Sequence, residues 1–88
     1  MKTRYLEVTY RKGRPMAAYL YLPRISGAKS ARTERMGTGI LVDFSAEGTP
    51  IGVEITAPQL VTVEDINRVL EQVGQPRLDA GEWAPIAA

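Results

Sequence analysis

Gly39-Ile40-Leu41-Val42-Asp43-Phe44-Ser45-Ala46-Glu47-Gly48-Thr49-Pro50-Ile51-Gly52-Val53-Glu54-Ile55 is the stretch on which the fold turns. Ile40, Val42 and Phe44 alternate with Leu41 and Asp43, and Ile51, Val53 and Ile55 alternate with Gly52 and Glu54. A period of two puts each apolar triplet on one face of a strand. Glu47-Gly48 suits a two-residue hairpin turn. Such a turn sets Phe44 opposite Ile51, Val42 opposite Val53 and Ile40 opposite Ile55. All three pairs then share one face, so turn and pattern specify the same register.

The flanking sequence extends this pattern. In residues 4–10, Leu6, Val8 and Tyr10 alternate with Tyr5, Glu7 and Thr9. Arg11-Lys12-Gly13-Arg14-Pro15 reads as a turn. A second strand over 16–22 puts Ala18, Leu20 and Leu22 on one face and Ala17, Tyr19 and Tyr21 on the other. Pairing Val8 with Leu20 closes a first hairpin. Ser26-Gly27-Ala28-Lys29-Ser30 reads as a loop. Residues 32–36 read as a short edge strand whose cations discourage wrong pairing. Gly37-Thr38-Gly39 allows a bend or bulge.

Downstream, Ala57-Pro58-Gln59-Leu60 ends the strand. Thr62 is a helix N-cap with Asp65 completing a short capping box, and Val61 can staple to Ile66. Val63, Ile66, Val69, Leu70 and Val73 form a stripe at helical spacing. Gly74 fits the C′ position and Pro76 prevents continuation. This predicts a helix over 63–73. Residues 75–88 contain Leu78, Trp83 and Ile86 but show no period. The expected fold is α+β: an antiparallel sheet of about four strands, in two hairpins, packed on one C-terminal helix. Residues 1–74 form the domain, and 75–88 form a tail docked on it or on a partner subunit.

A chain of 88 residues, 44% apolar, buries about 60–65% of its unfolded surface, so its core is thin. With no histidine and no cysteine, Ser-His-Asp and Cys-His nucleophiles, disulfides and ordinary zinc sites are excluded within one chain. No cofactor is expected, and any metal would be a hard cation held by oxygens. The longest apolar runs, 16–23 and 39–42, are too short to span a bilayer. Glu7 falls where a signal peptide would be apolar. The expectation is a cytoplasmic protein with no membrane partner.

The 39–55 hairpin, with its Val-Asp-Phe strand, its turn ending in Gly48 and its Ile-Gly-Val-Glu-Ile strand, resembles the small prokaryotic domain of unknown function 2283 family. Ala18-Tyr19-Leu20-Tyr21-Leu22 is similar to that family's Leu-Tyr-Ile-x-Leu strand, and residues 30–36 resemble its polar inter-hairpin segment. The resemblance runs over residues 10–55. The family has an acidic first turn where this chain has the basic Arg11-Lys12-Gly13-Arg14-Pro15, so no role attached to those acids carries over. The resemblance implies a fold and no activity. An antitoxin-like role follows only from the company such proteins keep.

Three groups of residues are candidate sites. Asp43 faces Gly52 in the expected register, so Glu54 is its diagonal neighbour, roughly 7–8 Å away at Cα. Two carboxylates at that spacing can share acid/base work or bind Mg²⁺. They also suit the solvent face of an antiparallel hairpin, and that reading takes precedence. Charge gives the second group. Residues 1–36 carry nine cations (Lys2, Arg4, Arg11, Lys12, Arg14, Arg24, Lys29, Arg32, Arg35) and two acids, whereas 37–88 carry two cations and eight acids. Such asymmetry points to nucleic acid, through Arg11, Lys12, Arg14, Arg32 and Arg35, or to an oppositely charged surface of the same or another chain. Third, Tyr5, Tyr19, Tyr21 and Leu41 share the outer sheet face, with Trp83 in the tail beside or over them. Exposed apolar patches mark interfaces. The sequence therefore favours a non-enzymatic interaction module that self-associates as a dimer or binds a small protein. Nucleic-acid binding through the basic hairpin is the alternative, and an Asp43/Glu54 enzyme ranks last.

Overall fold

The computed structural model describes residues 3–23 and 27–87. Lys2 and Arg24 of the basic group and Ser26 of the inter-hairpin loop lie outside these residues. The described strands are β1 (Tyr5–Arg11), β2 (Arg14–Tyr21), β3 (Arg32–Gly37), β4 (Ile40–Phe44) and β5 (Pro50–Ile55). They form one antiparallel sheet in the order β1-β2-β5-β4-β3. The two expected hairpins are β1/β2 and β4/β5. The candidate edge strand is real and makes the sheet five-stranded, with its cations on an outer edge.

Both hairpins turn differently from expectation. In the first, Lys12 and Gly13 have φ of 53° and 77°, so the chain reverses in two residues, with Arg11 opposite Arg14. Two successive positive φ values are those of a type I′ turn. Val8 therefore faces Ala18, and Leu6 faces Leu20. This is a two-residue shift from the Val8–Leu20 pairing, and it keeps the same faces together. In the second, the Gly48 N–H donates to the Ser45 carbonyl (2.9 Å) and the Ser45 N–H to the Thr49 carbonyl (2.8 Å), giving a longer turn over Ala46-Glu47-Gly48. Phe44 then meets Pro50 instead of Ile51. A register shift beside Phe44 absorbs the extra residue, and Val42–Val53 and Ile40–Ile55 pair as expected. Bulges of this kind accommodate one unmatched residue.

Ala18, Leu20, Leu22, Ile40, Val42, Phe44, Val53 and Ile55 form the buried inner face. Helix α1 (Val63–Gln72) covers it with Ile66, Val69 and Leu70. Thr62 and Asp65 form the reciprocal capping box (3.1 and 2.9 Å), and the carboxyl of Asp65 is held below its usual range, chiefly by the Thr62 backbone N–H. At the other end Gln75 N–H donates to the Leu70 carbonyl and Gly74 N–H to that of Glu71, a Schellman pair.

The single-helix expectation needs correction. Residues Ala80–Ala87 form a second helix, α2. Its start is a second capping box. Glu82 N–H donates to the Asp79 side chain (2.8 Å), and Asp79 N–H donates to the Glu82 carboxylate (3.1 Å). Gly81 and Pro85 are poor helix formers, so burial holds the helix in place. Leu78, Trp83 and Ile86 all enter the core beside α1.

Two polar contacts fasten this tail. Asn67, on α1 and only 3% exposed, donates from Nδ2 to the Leu78 carbonyl (3.2 Å) and accepts the Leu78 N–H at Oδ1 (2.7 Å). Arg4 donates to both Glu82 oxygens (3.0 and 3.1 Å) and to the carbonyls of Pro76 and Arg77 (2.6 Å each). The Arg4 bonds, with the Asp79 N–H, hold the Glu82 carboxyl below its usual range.

Asn67→Ala leaves a buried N–H and C=O unpartnered and is expected to lower unfolding free energy by about 1–3 kcal/mol, measured by urea denaturation. A depressed folded-state pKa stabilises above the unfolded carboxyl value and is lost as pH falls through the folded value. Stability is therefore expected to decline on the acid side of the ordinary glutamate range. Arg4→Ala should flatten that decline, as read from unfolding midpoints at stepped pH.

Candidate functional site

Strand alternation delivers Tyr5, Glu7, Tyr19, Tyr21, Leu41, Asp43, Gly52, Glu54, Thr33 and Arg35 to the sheet face opposite the helices. The register arranges them in two cross-strand rows. One runs Tyr5, Tyr21, Gly52, Asp43, Thr33 from β1 to β3. The next runs Glu7, Tyr19, Glu54, Leu41, Arg35. Tyr19, Tyr21, Leu41, Asp43 and Glu54 are half-buried, and Tyr5, Glu7, Thr33 and Arg35 are exposed.

The rows are tied together. Tyr5 stacks on Tyr21 at 4.6 Å between ring centroids, and Tyr19 meets Tyr21 edge-on at 4.8 Å. Such geometries contribute about 0.5–1.5 kcal/mol each beyond burial. The Tyr21 hydroxyl donates to Glu7 (3.3 Å). The Tyr19 hydroxyl reaches across β5 and donates to Asp43 Oδ2 (2.7 Å), while Thr33 donates to Asp43 Oδ1. One network thus spans the sheet from β1 to β3.

Gly52 makes the crossing possible. A Cβ there would collide with the hydroxyl and ring carbons of Tyr19. The hydroxyl end of Tyr19 occupies the space where any other residue would put its side chain. Nothing local in the sequence marks this crossing, because Tyr19 lies 33 positions upstream of Gly52.

Asp43 and Glu54 are diagonal neighbours, as the register required. Both Asp43 oxygens accept hydroxyls, so its evident work is to orient Tyr19 and Thr33. Among the described residues no three acids cluster as a metal site would need. A depression of about 340 Å³ between the β3–β4 turn and α1 is lined by neither Asp43 nor Glu54, nor is one of about 460 Å³ at Arg11, Lys12, Arg14 and Met16.

The remaining candidates separate. Trp83 is 6% exposed and lies in the core on the far side of the sheet, so it neither joins nor covers the tyrosines. Apolar residues at i and i+3, Trp83 and Ile86, filled the core's remaining gap. Arg11, Lys12 and Arg14 occupy the β1–β2 tip, whereas Arg32 and Arg35 lie on β3 at the opposite edge, at least three strand spacings or roughly 14 Å away. Arg32 pairs with Glu34 (2.9 Å) and its guanidinium sits 4.4 Å above the Phe44 ring. Arg4, from the basic half, is held by Glu82 of the acidic half. No helix among the described residues is long and apolar enough to cross a membrane.

Residues 17–57 match the model of the family described as Protein of unknown function (DUF2283), the family that the hairpin resembles. The match covers β3 to β5 and most of β2, and so the strands that carry Tyr19, Tyr21, Thr33, Asp43 and Gly52. No curated protein and no solved structure matches the chain.

Gly52→Ala is expected to push Tyr19 off Asp43 and cost about 1–3 kcal/mol. In a Tyr19→Ala background the same change should be nearly neutral. A thermal-denaturation double-mutant cycle measures that coupling.

Proposed function

With residues 17–57 read as a DUF2283 domain, we propose that the protein is a non-enzymatic interaction module that binds protein through the outer face of its sheet. One observation carries the reading. Both helices pack on the inner face, which leaves half-buried Tyr19, Tyr21 and Leu41, with exposed Tyr5, as a pre-ordered apolar strip. Rigid aromatics lose little entropy on binding and are enriched in energetic centres of interfaces.

The face is less suited to nucleic acid. Its tyrosines are interleaved with Glu7, Asp43 and Glu54, which repel a phosphate backbone, and the cations are split between the hairpin tip and the far edge. An enzymatic role for Asp43 is disfavoured by the two hydroxyls that already occupy its oxygens.

Tyr5→Arg with Leu41→Arg changes the strip without touching the core. Interface binding predicts that a partner captured by the wild type, a second copy included, is lost by this variant but retained by Arg11→Ala/Lys12→Ala/Arg14→Ala. The reverse pattern, with nuclease-sensitive capture, would transfer the function to the basic tip.

A further inference from the structure

We infer that the outer face is self-complementary and that its occupant is a second copy of this chain, seated about a two-fold axis running along β5. This rests on the interaction reading above and adds the partner and its orientation. A two-fold contact places the same patch on both sides, so each residue must suit the one it meets. The order β1-β2-β5-β4-β3 puts β5 at the centre. Rotation about an axis parallel to it lays β1 on the other copy's β3 and β2 on its β4, and leaves each row facing itself.

In that arrangement Glu7 at one rim meets Arg35 at the other, twice per dimer. Tyr19 meets Leu41, also twice, and Tyr5 meets Thr33. Arg35 makes no ion pair with any described residue, so it is available to Glu7. Tyr21 meets Asp43, also twice, so Tyr19 and Leu41 form the apolar part of a centre flanked by charged rims. A two-fold axis across the strands instead sets Glu7 on Tyr5, Arg35 on Thr33 and Asp43 on Leu41. It pairs no opposite charges and sets Asp43 on Leu41 twice, where the axis along β5 sets Asp43 on Tyr21. The Glu7–Arg35 rim pair therefore selects the axis along β5, which is also the aligned geometry of sheet sandwiches. Its cost is that Glu54, in the central strand, faces its own counterpart.

The face is about 20 Å wide and about 20 Å long, so two copies bury on the order of 1,000 Å². That lies below the standard interface range, so the dimer is weak, with a dissociation constant of micromolar or above.

Sedimentation velocity from low micromolar to millimolar concentration tests this. The wild type should move from monomer to dimer. Glu7→Arg and Arg35→Glu should each weaken the dimer about tenfold, since each pair occurs twice. The double variant should recover to within about threefold. Glu54→Gln should strengthen association severalfold. Circular dichroism of each variant at low concentration checks that the monomer is folded. A monomer at every concentration overturns the second-copy inference but leaves the interaction reading to the capture experiment. A dimer in which the double variant adds the two losses overturns the assigned axis. A dimer insensitive to Tyr5→Arg/Leu41→Arg overturns both readings.

Discussion

Everything in this molecule hangs on the pairing of β2 with β5. The pairing joins the N-terminal hairpin, a two-stranded ribbon marginal on its own, to the β3-β4-β5 meander in one sheet. It sets Leu20 against Val53 and Ala18 against Ile55 on the inner face, where α1 and α2 close the core. On the outer face the same register sets Tyr21 against Gly52 and Tyr19 against Glu54. Tyr19 can then reach diagonally over Gly52 to Asp43. A slip of one residue would send the tyrosines into the core and Leu20 into solvent.

The two faces are finished differently. The inner face is closed by burial and by polar clamps at its margins, Asn67 on the Leu78 backbone and Arg4 on Glu82. Part of the charge asymmetry between the halves of the chain is thus spent inside the fold. The outer face is ordered side chain by side chain through a hydroxyl and aromatic network, yet neither helix covers it. A sheet face fixed in advance loses little freedom when something docks on it.

What was legible in the sequence follows the range of the interactions. Strict alternation in 40–44 and 51–55 specified the central hairpin, and Thr62 with Asp65 specified the start of α1. Turn lengths are not legible where local backbone chemistry decides them. Lys12-Gly13 reverses the chain in two residues, and Ser45 closes a longer turn whose extra residue is absorbed beside Phe44. Helix α2 was hidden by Gly81 and Pro85, although Asp79 and Glu82 carried its capping signal. The Asn67 clamp and the Tyr19–Asp43 crossing have no local signature, because their partners are distant in sequence. Tyr5, Tyr19, Tyr21 and Leu41 were correctly grouped by parity alone. Trp83 was not, because nothing nearby states which face of the sheet the tail chooses.

The most direct test is the proton spectrum of Gly52. If Tyr19 lies across it, a Gly52 Hα gives strong nuclear Overhauser contacts to the Tyr19 ring protons beside the hydroxyl. A wild-type Gly52 Hα with no such contacts would contradict the β2–β5 register and the face built on it.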